Sequence, residues 1–357
     1  MLREELKRRA LPPLGERENM KELLQREVYG YLPDLPFEIG VGDEQTVEKR
    51  YMCGTVVHSY VMLTVRVGGG EHTFRVDRLL HTDGQRRPVV ILNNIHPMQI
   101  SPYFPIEEMS EYDVDFLVFC YKDVTSDDGD FNTGLAPLLL PRGQEHPYSC
   151  GKIGIWAWAA MRVLDYALTL EGTDPANVAI AGHSRLGKTA LYTAMMDERF
   201  RFAFSNAAGC GGDSLAHGNS GHARTERTSR LGELIEDLID RFPYWFCKNY
   251  AKYALRNLSD EFDQHTLLST IAPRYVLVGA CSLDAWADPL SQQLCALAAG
   301  EAFERMGLEG LVDGNRPLSE GEASLLGHVG FFLIRSKHFL SRHSWRYFMQ
   351  FLERHKA

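Results

Sequence analysis

Hydrophobic and polar residues alternate along residues 46–78, which is the pattern of a half-buried β-strand. The alternation is clearest from Ser59 to Val67 and breaks at the glycine run 68–70. Glycines between two alternating segments are typical of a tight turn, so we predict an antiparallel hairpin here. The preceding residues, 1–45, are predicted to form an N-terminal helical segment packed on the domain that follows.

The pattern changes after Pro88, where short, continuous apolar runs replace the alternation. Such runs are typical of strands that are buried on both faces of a parallel sheet. The predicted buried strands are residues 89–93, 114–120, 177–181, 202–206 and 274–280. The segments with helical spacing are residues 153–170, 189–196 and 345–352.

Strands that alternate with helices predict an α/β protein with a doubly wound, mostly parallel sheet and helices on both faces. We expect residues 46–357 to form a single catalytic domain with the α/β-hydrolase fold. The stretch 211–265 has no clear strand pattern, and we interpret it as a cap segment inserted over the site.

Composition restricts the partners and the cellular compartment. The chain has 357 residues, 45% of them hydrophobic, and a net charge of −9, so its overall charge gives no basic footprint for nucleic acid or an anionic membrane surface. No apolar run approaches the roughly 20 residues of a membrane span. The first nine residues are charged and lack a signal-peptide core, and the seven cysteines have no metal-ligand spacing. We therefore expect a cytoplasmic protein with reduced thiols, no metal and no cofactor; the oligomeric state stays open.

One motif predicts nucleophilic chemistry. The apolar run ending at Ala181 is followed directly by Gly182-His183-Ser184-Arg185-Leu186-Gly187-Lys188 and then by a helix. A serine in a sharp turn between a strand and a helix is the nucleophile elbow of α/β-hydrolases, although here the second glycine stands one position later than usual. The two glycines let strand and helix pass closely, and the amide after Ser184 can face a developing oxyanion.

A serine nucleophile needs an imidazole base and a carboxylate that orients it, in the chain order serine, acid, histidine. Asp284 follows the predicted strand 274–280 and is the preferred acid. Asp288 is its rival, although Pro289 behind it suggests a helix N-cap. His338 is the preferred base because it lies in a polar loop before the last helix, and His328 and His343 are the alternatives.

These segments together resemble the glucuronoyl esterases, carbohydrate esterase family fifteen, over residues 88–355. The resemblance is carried by the serine motif, the segments 205–212 and 242–246, the pair Gly232-Glu233, the run 262–274, and the acid and histidine segments around Asp284 and His338. It implies a serine esterase that cleaves esters of 4-O-methyl-glucuronic acid, a small carbohydrate ester, through a Ser184, His338 and Asp284 triad. It further implies that Arg185 stabilises the oxyanion and that Lys188, Glu233 and Trp286 contact the sugar.

The chain departs from the family pattern at several positions. His183 stands where a cysteine is usual, alanines stand at 207 and 208 where many members carry a glutamate, and Ser344 replaces an aspartate. The stretch 213–231 looks like an altered cap. These departures leave Asp284 as the acid and bear on the substrate more than on the chemistry.

Two alternatives remain open. The first is an acetyl-xylan-type or generic small-ester hydrolase on the same fold, and the second is a catalytically weak carbohydrate-binding homologue. A metal site at the pair His217 and His222 is disfavoured, because they lie five residues apart without a third ligand nearby and a polar loop explains them.

Overall fold

The computed structural model describes residues 1–98, 104–141, 143, 145–218 and 232–357. The strands are β1 (Phe37–Val41), β2 (Gln45–Tyr51), β3 (Val56–Val67), β4 (Gly70–His81), β5 (Arg87–Asn94), β6 (Asp115–Cys120), β7 (Thr173–His183), β8 (Phe202–Asn206), β9 (Tyr275–Cys281), β10 (Glu322–Ser324) and β11 (Val329–Ile334). The helices are α1 (Leu2–Arg9), α2 (Arg17–Leu24), α3 (Ile106–Glu111), α4 (Tyr121–Val124), α5 (Ala136–Leu139), α6 (Lys152–Ala167), α7 (Arg185–Met196), α8 (Ile235–Arg241), α9 (Gln264–Ser269), α10 (Pro289–Glu304) and α11 (Arg342–His355).

All eleven strands of the described ranges join one sheet in the order β1-β3-β4-β6-β5-β7-β8-β9-β11-β10, with β2 paired to β3. The central strands run parallel; in spatial order they are β6, β5, β7, β8, β9 and β11. The pairs at both margins of the sheet are antiparallel. Two hydrophobic cores cover the sheet; one contains residues of α6, α7 and α10, and the other contains residues of α11. The predicted α/β fold with a doubly wound, mostly parallel sheet is therefore confirmed.

The predicted hairpin is also confirmed. Strands β3 and β4 pair antiparallel from Val56 opposite His81 to Val67 opposite Gly70. Gly68 and Gly69 form the two-residue turn with φ of +60° and +79°. A turn with positive φ at both positions matches the right-handed twist of the flanking strands and favours glycine.

The N-terminal segment is only partly as expected. Residues 1–45 are helical in α1 and α2, with a π-helical turn at Gln25–Tyr29, but β1 lies in the same segment and extends the sheet by pairing with β3. The prediction of a helical segment up to residue 45 was therefore wrong after residue 29. The short alternation of Phe37, Ile39 and Val41 supplies a marginal strand that is too brief to recognise without its partner.

The expected cap, residues 211–265, contains α8, a short 3₁₀ helix at Lys248–Tyr253 and the start of α9, and its described residues include no strand. Most of the stretch 213–231, including His222, lies outside the described residues. Across the described chain, no helix combines the length and the apolar character needed to cross a membrane.

Candidate active site

The carboxyl ends of the central parallel strands converge on one edge of the sheet. Ser184 follows β7 directly, Ala207 follows β8, and the loops that follow β9 and β11 carry Asp284 and His338. Because parallel strands end at the same edge, residues far apart in the chain are placed around a single cavity.

Ser184 occupies a strained turn between β7 and α7. Its φ is +60° and its ψ is −128°, a conformation that costs a residue other than glycine about 1–3 kcal/mol. Its amide donates to the Asn206 carbonyl at 2.9 Å, which ties the turn to the end of β8. The first amides of α7 have no acceptor within the helix, so the Arg185 N–H is suited to face an oxyanion.

Both glycines of the serine motif lie where neighbouring atoms leave no room for a side chain. A Cβ atom on Gly182 would lie 2.0 Å from the Leu186 carbonyl oxygen, and one on Gly187 would lie 2.8 Å from Ser205 Oγ. The displaced second glycine therefore still allows the helix to pack against the strands, which confirms the close approach predicted from the sequence.

Asp284 and His338 form a hydrogen-bonded pair. Asp284 Oδ2 lies 2.6 Å from His338 Nδ1, the carboxylate is buried, and the imidazole remains 43% exposed. A carboxylate can only accept at this contact, so Nδ1 carries a proton and Nε2 of the neutral ring is available as a base. The geometry is that of the acid and base of a serine hydrolase.

The alternative residues lie in other environments. Asp288 caps α10, where its carboxylate accepts from the Ser291 amide at 3.1 Å and from the Ser291 hydroxyl at 2.6 Å. His328 stacks on Tyr275 with ring centroids 4.5 Å apart, next to the start of β11. His343 is exposed in the first turn of α11. None of the three lines the cavity that contains Ser184 and His338.

Ser184 and His338 line one cavity of about 180 Å³. Among the described residues, no hydrogen bond within 3.5 Å joins the Ser184 hydroxyl to His338. Such contacts are often longer without substrate than in the reacting complex. The remaining lining residues are Arg185, Lys188, Ala207, Ala208, Gly209, Glu233, Arg241, Phe242, Trp245, Trp286 and Ala287.

Arg185 is held in the cavity wall by Asp127, a residue that sequence reasoning missed. The guanidinium forms an ion pair with Asp127, whose Oδ1 accepts from Trp245 Nε1 at 2.8 Å and whose Oδ2 accepts from the Tyr121 hydroxyl at 2.8 Å. The guanidinium also lies 4.8 Å from the Trp245 ring centroid. The acidic run 127–130 after β6 could have drawn attention to Asp127, but such runs are common in turns.

Lys188, Glu233 and Trp286 are bonded to one another. Lys188 Nζ lies 3.1 Å from Glu233 Oε2 and also donates to the carbonyls of Ala208 and Cys210, so each of its three hydrogens has a protein acceptor. Trp286 Nε1 donates to Glu233 Oε1 at 3.1 Å. The three residues expected to contact sugar therefore form a bonded chain, in which the buried lysine supports the carboxylate.

The outer wall of the cavity is aromatic and cationic. Phe242 and Trp245 stack in parallel with centroids 3.9 Å apart, and the Arg241 guanidinium lies 5.1 Å from Phe242 and 5.6 Å from Trp286. The resemblance pointed to 242–246, whereas Arg241 gave no sequence signal. Flat rings of this kind are suited to the C–H face of a sugar.

The loop after β8 is fixed from beneath by Asp213. Its carboxylate accepts from Ser205 Oγ at 2.7 Å, from the Gly209 amide at 2.8 Å and from Gln292 Nε2 at 2.8 Å. Burial raises the pKa of this carboxyl, and these donors counteract the shift. The loop that supplies Ala207 and Ala208 to the cavity is therefore rigidly placed.

His217 is hydrogen-bonded to a buried carboxylate. Its Nδ1 lies 2.8 Å from Asp263 Oδ2, and both side chains are buried. The second histidine of the proposed pair, His222, lies outside the described residues. Within the described residues, no cluster of three metal-ligating side chains is present.

Comparisons with known proteins identify the family of this chain. Residues 63–307 match the family model described as "Glucuronyl esterase, fungi". A carbohydrate esterase from an unknown prokaryotic organism is 32% identical over 233 residues, which cover 64% of this chain and 51% of that protein. A 4-O-methyl-glucuronoyl methylesterase from Phanerochaete chrysosporium is 29% identical over 164 residues, covering 43% of this chain and 32% of that protein.

A solved glucuronoyl esterase from Solibacter usitatus superposes with a TM-score of 0.83 at 24% identity, covering 95% of this chain and 91% of that one. The aligned region spans about half the length of the first curated relative and less of the second. The structural match shows that the two chains share a fold, and the family model covers well over half of the chain. This chain belongs to the glucuronyl esterase family.

Proposed function

We propose that this protein is a serine carboxylesterase that hydrolyses (4-O-methyl-)glucuronoyl esters of carbohydrate. The observation that carries the proposal is the Asp284–His338 pair at 2.6 Å, whose histidine lines the same small cavity as the strained Ser184. The family relationship and the activity named for the Phanerochaete relative support the ester class.

The reaction follows from the positions of these groups. Ser184 Oγ attacks the ester carbonyl carbon while His338 Nε2 takes its proton, and Asp284 stabilises the imidazolium. The oxyanion faces the Arg185 amide and guanidinium. Collapse breaks the bond to the alcohol, which leaves with the proton from His338. Water then attacks the acyl-enzyme while His338 takes its proton; the bond from the acyl carbon to Ser184 Oγ breaks, Oγ receives the proton from His338, and the glucuronic acid is released.

Specificity for the sugar rests on Glu233 and Trp286. Glu233 is held by Lys188, so its carboxylate is oriented before substrate binds, and it can accept from sugar hydroxyls. The Trp286 ring offers an apolar face beside it. A site that pairs with hydroxyls discriminates strongly against esters that lack them.

The test is a comparison of kcat/KM for benzyl glucuronate, methyl glucuronate and p-nitrophenyl acetate. We expect the glucuronate esters to be preferred, Ser184→Ala to abolish hydrolysis, and Glu233→Gln and Trp286→Ala to erode the preference more than the rate on p-nitrophenyl acetate. Glu27→Gln is a matched control, because Glu27 is also buried beside a lysine but lies outside the cavity. Equal efficiency on all three esters, unaltered by either variant, would indicate the generic small-ester hydrolase instead.

A further inference from the structure

Asn206, the last residue of β8, lies between the two chain segments that carry the nucleophile and the base. Its Nδ2 lies 2.9 Å from Nδ1 of His183, the residue before Ser184, and 3.2 Å from the carbonyl oxygen of Phe339, the residue after His338. Its own carbonyl accepts the Ser184 amide at 2.9 Å. One residue thus bonds to both chain segments that carry the catalytic pair.

The Phe339 carbonyl fixes the orientation of the Asn206 amide. A carbonyl only accepts, so the side-chain atom facing it must be the NH₂ group. His183 Nδ1 lies 2.9 Å from this NH₂ group and 3.1 Å from the backbone carbonyl oxygen of Asn206. Both the side chain and the backbone of Asn206 therefore hold the His183 ring in place.

His183 is a neutral neighbour of the base. It is buried, and its ring centroid lies 4.5 Å from that of His338. Burial, followed by repulsion from His338, lowers the pKa of His183 well below its ordinary value. His338 can therefore gain a proton during the reaction without a charged ring beside it.

The amide is retained at an energetic cost. Among the described residues Asn206 Oδ1 has no hydrogen-bond partner, and it lies against the backbone of Gly279, where a Cβ atom would come within 2.9 Å of it. A buried, unbonded amide oxygen is unfavourable, so a side chain needed only for packing would be apolar. The contribution of Asn206 is therefore the contacts of its side-chain NH₂ group with His183 and Phe339.

We propose that Asn206 and His183 are positioning residues that set the placement of His338 relative to Ser184. The proposal rests on the proposed esterase function, because it assigns a role within the same site. Asn206 joins the ends of β7 and β8 to the loop after β11, so its loss lets the base drift from the nucleophile. Misplacement of a reacting group by about 1 Å can lower a rate roughly 100-fold.

The experiment measures the chemistry of Ser184 in two ways. The first is kcat and KM for benzyl glucuronate. The second is the rate at which a fluorophosphonate labels Ser184, a reaction in which the Oγ–P bond forms, the P–F bond breaks and His338 takes the serine proton. Labelling requires the same base but no sugar. Unfolding temperatures of all variants are measured alongside.

Asn206→Ala is expected to lower kcat and the labelling rate roughly 10- to 100-fold, with KM changed less than about two-fold. The control is Asn177→Ala, which removes another buried asparagine near the opposite end of β7, where it bonds to Asp174 and Ala357. This control is expected to lower the unfolding temperature while leaving labelling within about two-fold of wild type. If Asn206→Ala does not fold, His183→Phe keeps the ring but removes Nδ1, and the same loss of labelling is expected.

Labelling of the folded Asn206 or His183 variant at the wild-type rate would overturn the proposal, as would equal losses in Asn206→Ala and Asn177→Ala. A wild-type protein that is labelled quickly but does not hydrolyse benzyl glucuronate would overturn the proposed substrate alone. In that case a slow-labelling Asn206→Ala would still support the positioning role.

Discussion

Replacing Lys188 by methionine tests the bonded chain beneath the cavity. The unbranched side chain fills a similar volume, but the buried Glu233 carboxylate loses its cation and two carbonyls lose a donor. Removing one partner of a buried ion pair costs about 3–5 kcal/mol, because the remaining charge is left uncompensated. We expect Lys188→Met to lower the free energy of unfolding by about that amount.

Lys252→Met is the matched control. Lys252 Nζ lies 3.2 Å from Glu27 Oε2, nearly the distance in the Lys188–Glu233 pair, but the Lys252 side chain is 57% exposed. Exposed pairs contribute only about 0–1 kcal/mol. The two lysines therefore compare a buried and an exposed member of a Lys–Glu pair at nearly the same N···O distance.

The assay is urea unfolding monitored by fluorescence, with midpoints compared at equal slope. A double-mutant cycle with Glu233→Gln is expected to show a coupling of about 1–3 kcal/mol, since the two residues share one contact. Equal losses for Lys188→Met and Lys252→Met, or a loss below about 1 kcal/mol for Lys188→Met, would refute the reasoning. Lys188 would then be free to serve the substrate.

Three further outcomes are expected. Asp284→Asn should lower kcat by about 10⁴-fold, whereas Asp288→Asn should lower mainly the unfolding temperature; the reverse pattern in steady-state kinetics and thermal melts would exchange their roles. Asp127→Asn should lower kcat on every ester tested by about ten-fold or more, because a loosened Arg185 stabilises the oxyanion less well; an unchanged kcat would remove Arg185 from the mechanism. Folding lowers the pKa of His183. The contribution of His183 to the free energy of unfolding is therefore complete above about pH 6.5. It is lost at about 1.4 kcal/mol per pH unit as the pH falls towards the folded-state pKa. His183→Phe should flatten the acid side of the stability curve, and an unaltered slope in urea titrations would show that His183 is not buried neutral.

The central sheet was predictable because burial on both faces leaves a direct mark on the sequence. Residues 89–93 and 202–206 are short apolar runs, and both are strands in the structure. The marginal strands β1 and β10 have five and three residues, so they depend on pairing with a neighbour more than on their own pattern.

The candidate site was predictable where its chemistry is local. The glycines around Ser184 and the carboxylate just after a strand can be recognised directly in the sequence. The partners of Arg185 and Lys188 are not, because Asp127 is 58 residues away from Arg185 in the chain and Lys188 is bound partly by backbone carbonyls. Backbone acceptors carry no side-chain signal, so only the folded structure shows that this lysine has its three acceptors within the protein.

The strained backbone of Ser184 has an evolutionary consequence. Glycine adopts a φ of +60° without the penalty that serine incurs there, so selection for foldability alone would favour glycine at position 184. A lineage released from the need for the reaction would be expected to lose the hydroxyl early, and to gain thermal robustness by doing so. Serine at position 184 therefore lowers the stability of the fold and in return provides a reactive hydroxyl.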